Sequence, residues 1–189
     1  PVSDLIVELF EIHDRNRFEI YAFSFGPDTN DEINLRIKEG VDHFHDVLRM
    51  SHKDVAMLAR SVELDIAVDL GGFTQNCRPN IFAEGSAPVQ VSFLGYPGTM
   101  GVDYMDYLIA DRTLIPEEKQ LHYSEKIVYM PNSYQVNVSK RSVSEASLLR
   151  HELGLPNTGF IFCCFNNNYK ITPSTFAGWM RILAAVDDG

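Results

Sequence analysis

Apolar residues recur at helical spacing in several stretches of this chain and at strand spacing in others, and the two kinds alternate. Leu5, Ile6, Leu9, Phe10 and Ile12 recur at helical spacing, with Ser3 or Asp4 as the cap, which predicts a helix over residues 3–13. Residues 18–25 alternate and are rich in aromatics, the pattern of a strand. Gly26, Pro27 and Asp28 turn the chain into a helix at 30–40 closed by Gly40, and a short strand follows at 43–47. Ser51 caps a helix at 52–61, with Val55, Leu58 and Ala59 on its apolar positions. Residues 64–70 read as a buried strand, 80–84 as a short helix, and 89–94, 107–110 and 126–130 as three further strands. A weaker helix is expected at 117–122, with Pro116 in its first turn.

Residues 132–142 carry little pattern. Beyond them the spacing predicts a helix at 144–153 ended by Gly154 and Pro156, a buried strand at 159–165, and a helix at 173–186 opened by Pro173. Strands alternating with helices imply βαβ units and a mostly parallel sheet, an α/β fold. The patternless stretch divides the chain into a fuller part, 1–141, and a shorter part, 142–189.

Charge narrows the function classes. With 16 Lys and Arg against 26 Asp and Glu, the net charge is −10, which argues against a general nucleic-acid or anionic-membrane surface. One basic pocket for a diphosphate remains compatible with it. Of the three cysteines, Cys163 and Cys164 are neighbours in an apolar run and Cys77 stands apart, so neither a disulfide framework nor a CxxC zinc pair is expected. Neither a secretory leader nor an apolar run near 18 residues is visible, so a cytoplasmic protein is expected. The first residue is Pro1 and the chain enters a helix at once, so both ends read as cut from a longer polypeptide.

Candidate chemistry gathers where strands open into loops, the place where open α/β sheets bind ligands. Gly71-Gly72-Phe73-Thr74 and Gly95-Tyr-Pro-Gly-Thr99 are two such loops; each fits a close approach of backbone to a sugar, and each fits a structural turn. In Phe165-Asn-Asn-Asn-Tyr-Lys170, amide and ammonium donors precede a helix whose first N–H groups are free. That combination suits a phosphate, and a solvated turn with a surface lysine is the other reading. His43 and His45 share a strand face without further ligands to make a metal site, and His13, His52, His122 and His151 read as surface residues. Dinucleotide, P-loop and serine-hydrolase patterns are absent, as is Asp-x-Asp.

These segments resemble the protein O-linked N-acetylglucosamine transferases and their bacterial and plant SPINDLY-like relatives, which include plant protein O-fucosyltransferases. Arg17-Phe-Glu-Ile-Tyr21, Asp65-Ile-Ala-Val-Asp-Leu-Gly-Gly-Phe-Thr74, Arg78-Pro-Asn-Ile-Phe82 and residues 87–99 carry the resemblance. Asp106-Tyr-Leu-Ile-Ala-Asp111, Tyr123-Ser-Glu-Lys126, Met130-Pro131 and residues 165–171 complete it. The resemblance implies a two-lobed GT-B glycosyltransferase. Residues 1–141 would form a Rossmann-like lobe, and 142–189 a linker helix with the first strand and helix of the nucleotide-binding lobe. It implies inverting, metal-independent transfer of N-acetylglucosamine from UDP-GlcNAc to serine or threonine hydroxyls of proteins, with no cofactor. Tetratricopeptide repeats would precede the catalytic region.

Carried over by position, Lys170 looks like the lysine that neutralises the diphosphate, with Asn167 and Tyr169 as nucleotide contacts and Leu94, Gly95 and Pro97 as a loop lining the sugar. The active-site histidine of the family would lie immediately before Pro1, Asp4 stands where animal members carry a second histidine, and a later nucleotide loop would follow Gly189. The 1–189 chain alone is therefore expected to transfer no sugar. Two alternatives keep these residues: a protein O-fucosyltransferase using GDP-fucose, and a non-catalytic interaction module.

Overall fold

The alternation of helix and strand is realised as parallel sheets in a computed structural model that describes residues 2–141 and 144–186. The chain divides into two units, Pro1–Arg141 and Ser142–Gly189. In the first, the order is α1 (Val2–Ile12), β1 (Tyr21–Ser24), α2 (Glu32–Gly40), β2 (His43–Asp46), α3 (His52–Ser61) and β3 (Ile66–Asp69). It continues with α4 (Asn80–Ala83), β4 (Val89–Ser92), β5 (Tyr107–Ala110), a 3-10 helix (Glu117–His122) and β6 (Lys126–Tyr129). β1 and β2 form one sheet, with Tyr21 opposite His43; β3, β4, β5 and β6 form another in that order, with Ile66 opposite Val89. Every pairing is parallel, as βαβ connections require.

Helices cover both faces. Lys38 of α2 lies 5.5 Å from the centre of the Phe44 ring, and Phe44 and His45 point to opposite faces of β2. α1 shares the face of α2: Gly40 approaches Phe10 so closely that a Cβ there would sit 3.2 Å from the Phe10 Cβ. From that face α1 also reaches the larger sheet, where Ile6 packs with Phe93, Leu94 and Ile109. α3 and α4 cover the opposite face, where Val47, Val55 and Ile81 gather Phe23, Phe25, Leu58 and Phe82. Local chemistry sets the helix starts: the Asp31 carboxylate accepts from the Asn34 amide at 2.8 Å, and the Ser51 hydroxyl from the Asp54 amide at 3.1 Å.

Several expectations need correcting. His13 is not a surface residue; its side chain is 8% exposed, with Nδ1 2.6 Å from the Phe10 carbonyl and Nε2 3.1 Å from Asp42. Asp42 also accepts from the Ile20 amide at 2.8 Å and from Arg15, so it ties the end of α1 to both strands of the small sheet. Residues 64–70 do not make a strand buried on both faces: Ile66 and Val68, on one face, are 54% and 45% exposed, while Ala67 and Asp69, on the other, are buried. The helix after Pro116 is 3-10, with Pro116 at its cap.

The second unit departs further. Residues 144–149 are not helical, and only Arg150–Leu153 form a 3-10 turn, closed by Gly154 in the left-handed conformation at φ 67°. Residues 159–165 form no strand; Phe160, Phe162 and Phe165 are 61%, 48% and 96% exposed. None of the described residues of this unit is buried. A strand needs a partner for its backbone groups and a short helix needs a surface to pack on, and the described residues provide neither. α5 (Pro173–Ala184) forms regardless, because the Thr172 hydroxyl accepts from the Thr175 amide at 3.2 Å and Pro173 takes the first helical position.

Asp111, 7% exposed at the end of β5, fixes how the chain leaves the large sheet. The Tyr134 amide above all, together with the Leu114 and Thr113 amides, holds its carboxyl below the usual carboxylate range. A carboxyl depressed by folding stabilises the folded state above its unfolded value, near 3.9, and loses that contribution as pH falls through the folded value. The urea midpoint of the protein therefore drops between about pH 5 and about pH 2, and Asp111→Asn flattens part of that drop. An unchanged pH profile in the asparagine variant would show that Asp111 does not anchor the 131–136 segment.

Candidate functional site

The C-terminal ends of β3 and β4 carry two loops that lock into each other. Asp69, the last residue of β3, accepts from the Gly71 and Gly72 amides at 2.8 and 3.1 Å and so bends the chain sharply off the strand. Gly72 then takes φ 53°, and a Cβ on it would lie 2.3 Å from the Cβ of Tyr96 in the neighbouring loop. A side chain is excluded at Gly72 on both counts. Phe73 meets the Tyr96 ring edge-on at 5.7 Å and is half exposed. On the β4 side, Leu94 has φ 72°, rare for a residue with a side chain. Gly95 passes so near the β3 loop that a Cβ would stand 2.2 Å from the Leu70 carbonyl oxygen.

Residues 97–101 are held from the other side by the segment before β6. The Tyr123 hydroxyl donates to the Pro97 carbonyl at 3.2 Å; burial first, then the Glu125 carboxylate, pushes this phenol up, which keeps the donating proton in place. Glu125, 4% exposed, accepts from the Met100 amide at 2.6 Å and the Thr99 hydroxyl at 2.7 Å. The loop is thus fixed at both ends before any ligand arrives. Leu94 spends its side chain on the core, 6% exposed against Ile6 and Phe93, so it can offer a ligand only backbone. Gly95 and Pro97 are half-buried at the rim.

Asn167, Tyr169 and Lys170 belong to the second unit. Asn167 precedes a 3-10 turn, Asn168–Lys170, and its carbonyl accepts from the Lys170 amide at 3.0 Å. That turn, rather than a strand end, delivers Lys170 to the start of α5. Tyr169 is 77% exposed, and the exposed Lys170 ammonium forms no ion pair or hydrogen bond among the described residues. A free cation two residues ahead of the Thr172 cap, with the Ser174 amide as the one first-turn N–H of α5 left open by Pro173 and the Thr172–Thr175 bond, can offer an anion a charge and a donor.

Tyr96, Tyr123 and Glu125 lie in segments the sequence singled out, 95–99 and 123–126, but were not among the expected site residues. Glycines 72 and 98 on either side of Tyr96 were the available signal, since a Cβ on Gly98 would stand 2.9 Å from the Tyr96 ring. Glu125 lies 26 residues from Thr99, so spacing did not tie it to that loop. A hollow of about 550 Å³ lined by Arg60, Leu64, Asp65 and Pro88 opens at the N-terminal ends of β3 and β4, away from these loops. Among the described residues, no three His, Cys, Asp or Glu side chains cluster as a metal site, and no helix is long and apolar enough to cross a membrane.

Comparison with known proteins decides what these loops belong to. The pattern that defines glycosyl transferase family 41 matches residues 1–144 and 141–189. This chain belongs to glycosyl transferase family 41. It is 36% identical over 191 residues to a probable UDP-N-acetylglucosamine–peptide N-acetylglucosaminyltransferase SEC of Arabidopsis thaliana, covering 98% of this chain and 20% of that protein. It is 32% identical over 155 residues to the UDP-N-acetylglucosamine–peptide N-acetylglucosaminyltransferase of Caenorhabditis elegans, covering 80% of this chain and 13% of that one. A solved structure of a mutant O-GlcNAc transferase from Thermobaculum terrenum superposes with a TM-score of 0.69 at 32% identity, over 71% of this chain and 26% of that chain. The family 41 chain therefore spans about a fifth of the curated relatives' length or less. The α/β class and its parallel sheets agree with the fold expected from the sequence.

Proposed function

We propose that the full-length protein transfers N-acetylglucosamine from UDP-GlcNAc to serine or threonine hydroxyls of proteins, with inversion at the anomeric carbon and without a metal ion. The observation that carries this reading is the free Lys170 ammonium at the start of α5, in a chain whose relatives are named for that transfer. The acceptor oxygen attacks the anomeric carbon as the carbon–oxygen bond to the diphosphate breaks. The bonding pair leaves with UDP, and the hydroxyl proton passes to a base. Negative charge grows on the diphosphate during this step, and Lys170 with the open Ser174 amide of α5 is suited to stabilise it. Asn167 and Tyr169 then contact the nucleotide, and the backbone of Leu94, Gly95 and Pro97 borders the sugar.

In the same reading, 1–141 is the first lobe, 142–189 opens the second, and tetratricopeptide repeats precede them. The protein works in the cytoplasm on protein acceptors, and the net charge of −10 over these 189 residues suits neither nucleic acid nor an anionic membrane. Because the cation at the diphosphate is a lysine, full-length protein keeps its transfer rate in excess EDTA. Loss of activity that Mn²⁺ or Mg²⁺ restores would overturn the metal-independent mechanism, and the anomeric configuration of the product, read by NMR, checks inversion.

A further inference from the structure

The backbone that borders the sugar in the proposed reaction has little side chain of its own to hold it. Gly95 and Pro97 stand at the rim, Gly98 and Gly101 follow, and glycine backbone is the freest to move. We propose that Glu125 is the positioning residue that fixes this loop for the donor sugar, so that it governs how the sugar is placed and not how the nucleotide is held. The proposal rests on UDP-GlcNAc being the donor.

Glu125 is 4% exposed, a place that a carboxyl takes only when donors match its oxygens. Those donors come from the loop and its flank. The Met100 amide reaches one oxygen at 2.6 Å; the Thr99 and Ser124 hydroxyls reach the other at 2.7 and 3.2 Å. The Thr99 hydroxyl in turn accepts from the Gly101 amide at 3.0 Å and the Ser124 amide at 3.3 Å. One buried side chain thus sets Thr99, Met100 and Gly101 together. Tyr123 adds a single longer bond, 3.2 Å, to the Pro97 carbonyl. An apolar residue at 125 would leave the buried Met100 amide without its acceptor, which the loop could repair only by moving.

The clasp is anchored on the large sheet. Lys126, the next residue, opens β6, and its amide donates to the Asp106 carbonyl at 2.9 Å. The Asp106 carboxylate accepts from the Gln90 amide of β4 at 2.8 Å. The leading end of the loop is held separately, by Leu94 in the core and by the approach of Gly95 to the Leu70 carbonyl. Loss of Glu125 therefore frees the trailing end, from Pro97 to Gly101, while the sheet beneath it keeps its core. In the proposed reaction this loop borders the sugar and residues 167–170 meet the nucleotide, so the two halves of the donor report separately.

Full-length protein is measured as wild type, Glu125→Ala, Glu125→Gln and Thr99→Val, for steady-state transfer from UDP-GlcNAc and for UDP binding by calorimetry. In Glu125→Ala, kcat/KM falls by about 10- to 100-fold, the scale of a small misplacement at a reacting centre, while Kd for UDP stays at the wild-type value. Thr99→Val, which removes the hydroxyl and keeps the side-chain shape, lowers kcat/KM by about tenfold. Glu125→Gln recovers most of the loss, because it keeps an oxygen for the Met100 amide and an amide that donates to the Thr99 hydroxyl. Wild-type kcat/KM in Glu125→Ala would overturn the inference, as would a glutamine variant no better than alanine. UDP affinity that falls as far as transfer would overturn it too, since the defect would then be general. Should the alanine variant not fold, Thr99→Val decides: wild-type kcat/KM there refutes the clasp. Failure of the donor reading shows differently, as wild-type protein that transfers nothing from UDP-GlcNAc, and it would take this inference with it.

Discussion

Replacing Lys170 by alanine in the full-length protein lowers turnover by about 10²–10³ and leaves the melting temperature unchanged, the loss that follows removal of one preorganised donor from developing negative charge. The side chain is exposed and makes no hydrogen bond or ion pair among the described residues, so its removal takes away little packing. It belongs to the 3-10 turn just ahead of α5, whose first turn leaves the Ser174 amide open. Lys170→Arg recovers part of the loss, because a planar guanidinium sets its charge at a different distance from the backbone. Thermal melting beside steady-state transfer separates the effects. Near-normal turnover in the alanine variant would reduce Lys170 to a surface residue.

Gly95→Ala destabilises the protein by about 1–3 kcal/mol, the range for forcing atoms into a filled site. The added methyl would stand 2.2 Å from the Leu70 carbonyl oxygen, a backbone atom that cannot swing aside, so the β3 and β4 loops must part. Parting them moves the candidate sugar rim, and a displacement near 1 Å at a reacting centre can lower the rate by about 10². Gly26→Ala is the control: nothing lies within 4 Å of its added Cβ, and both melting and transfer stay at wild-type values. Equal melting temperatures for the two variants would refute the interlock.

What was legible in the sequence follows from how local each cause is. The cap at Ser51 and the proline at 173 act within their own first turns, and the helices behind them form close to the expected bounds. β5 occupies 107–110, as its apolar run suggests. The same kind of run at 159–165 gave no strand, because pairing depends on neighbours that periodicity cannot report. His13 looked superficial for a similar reason: its partner Asp42 is 29 residues away. In the candidate site, the glycine and proline positions of 94–99 marked a loop. The Tyr96 wedge and the Glu125 clasp that hold that loop come from contacts between distant segments.

The donor sugar is the most direct test. Full-length protein is given a serine- and threonine-containing acceptor polypeptide with equal amounts of labelled UDP-GlcNAc and labelled GDP-fucose, with the Lys170→Ala variant alongside. Label is expected from UDP-GlcNAc alone, on hydroxyl side chains, and strongly reduced in the variant. Label from GDP-fucose alone, or from neither donor, would contradict a UDP-GlcNAc transferase built around Lys170.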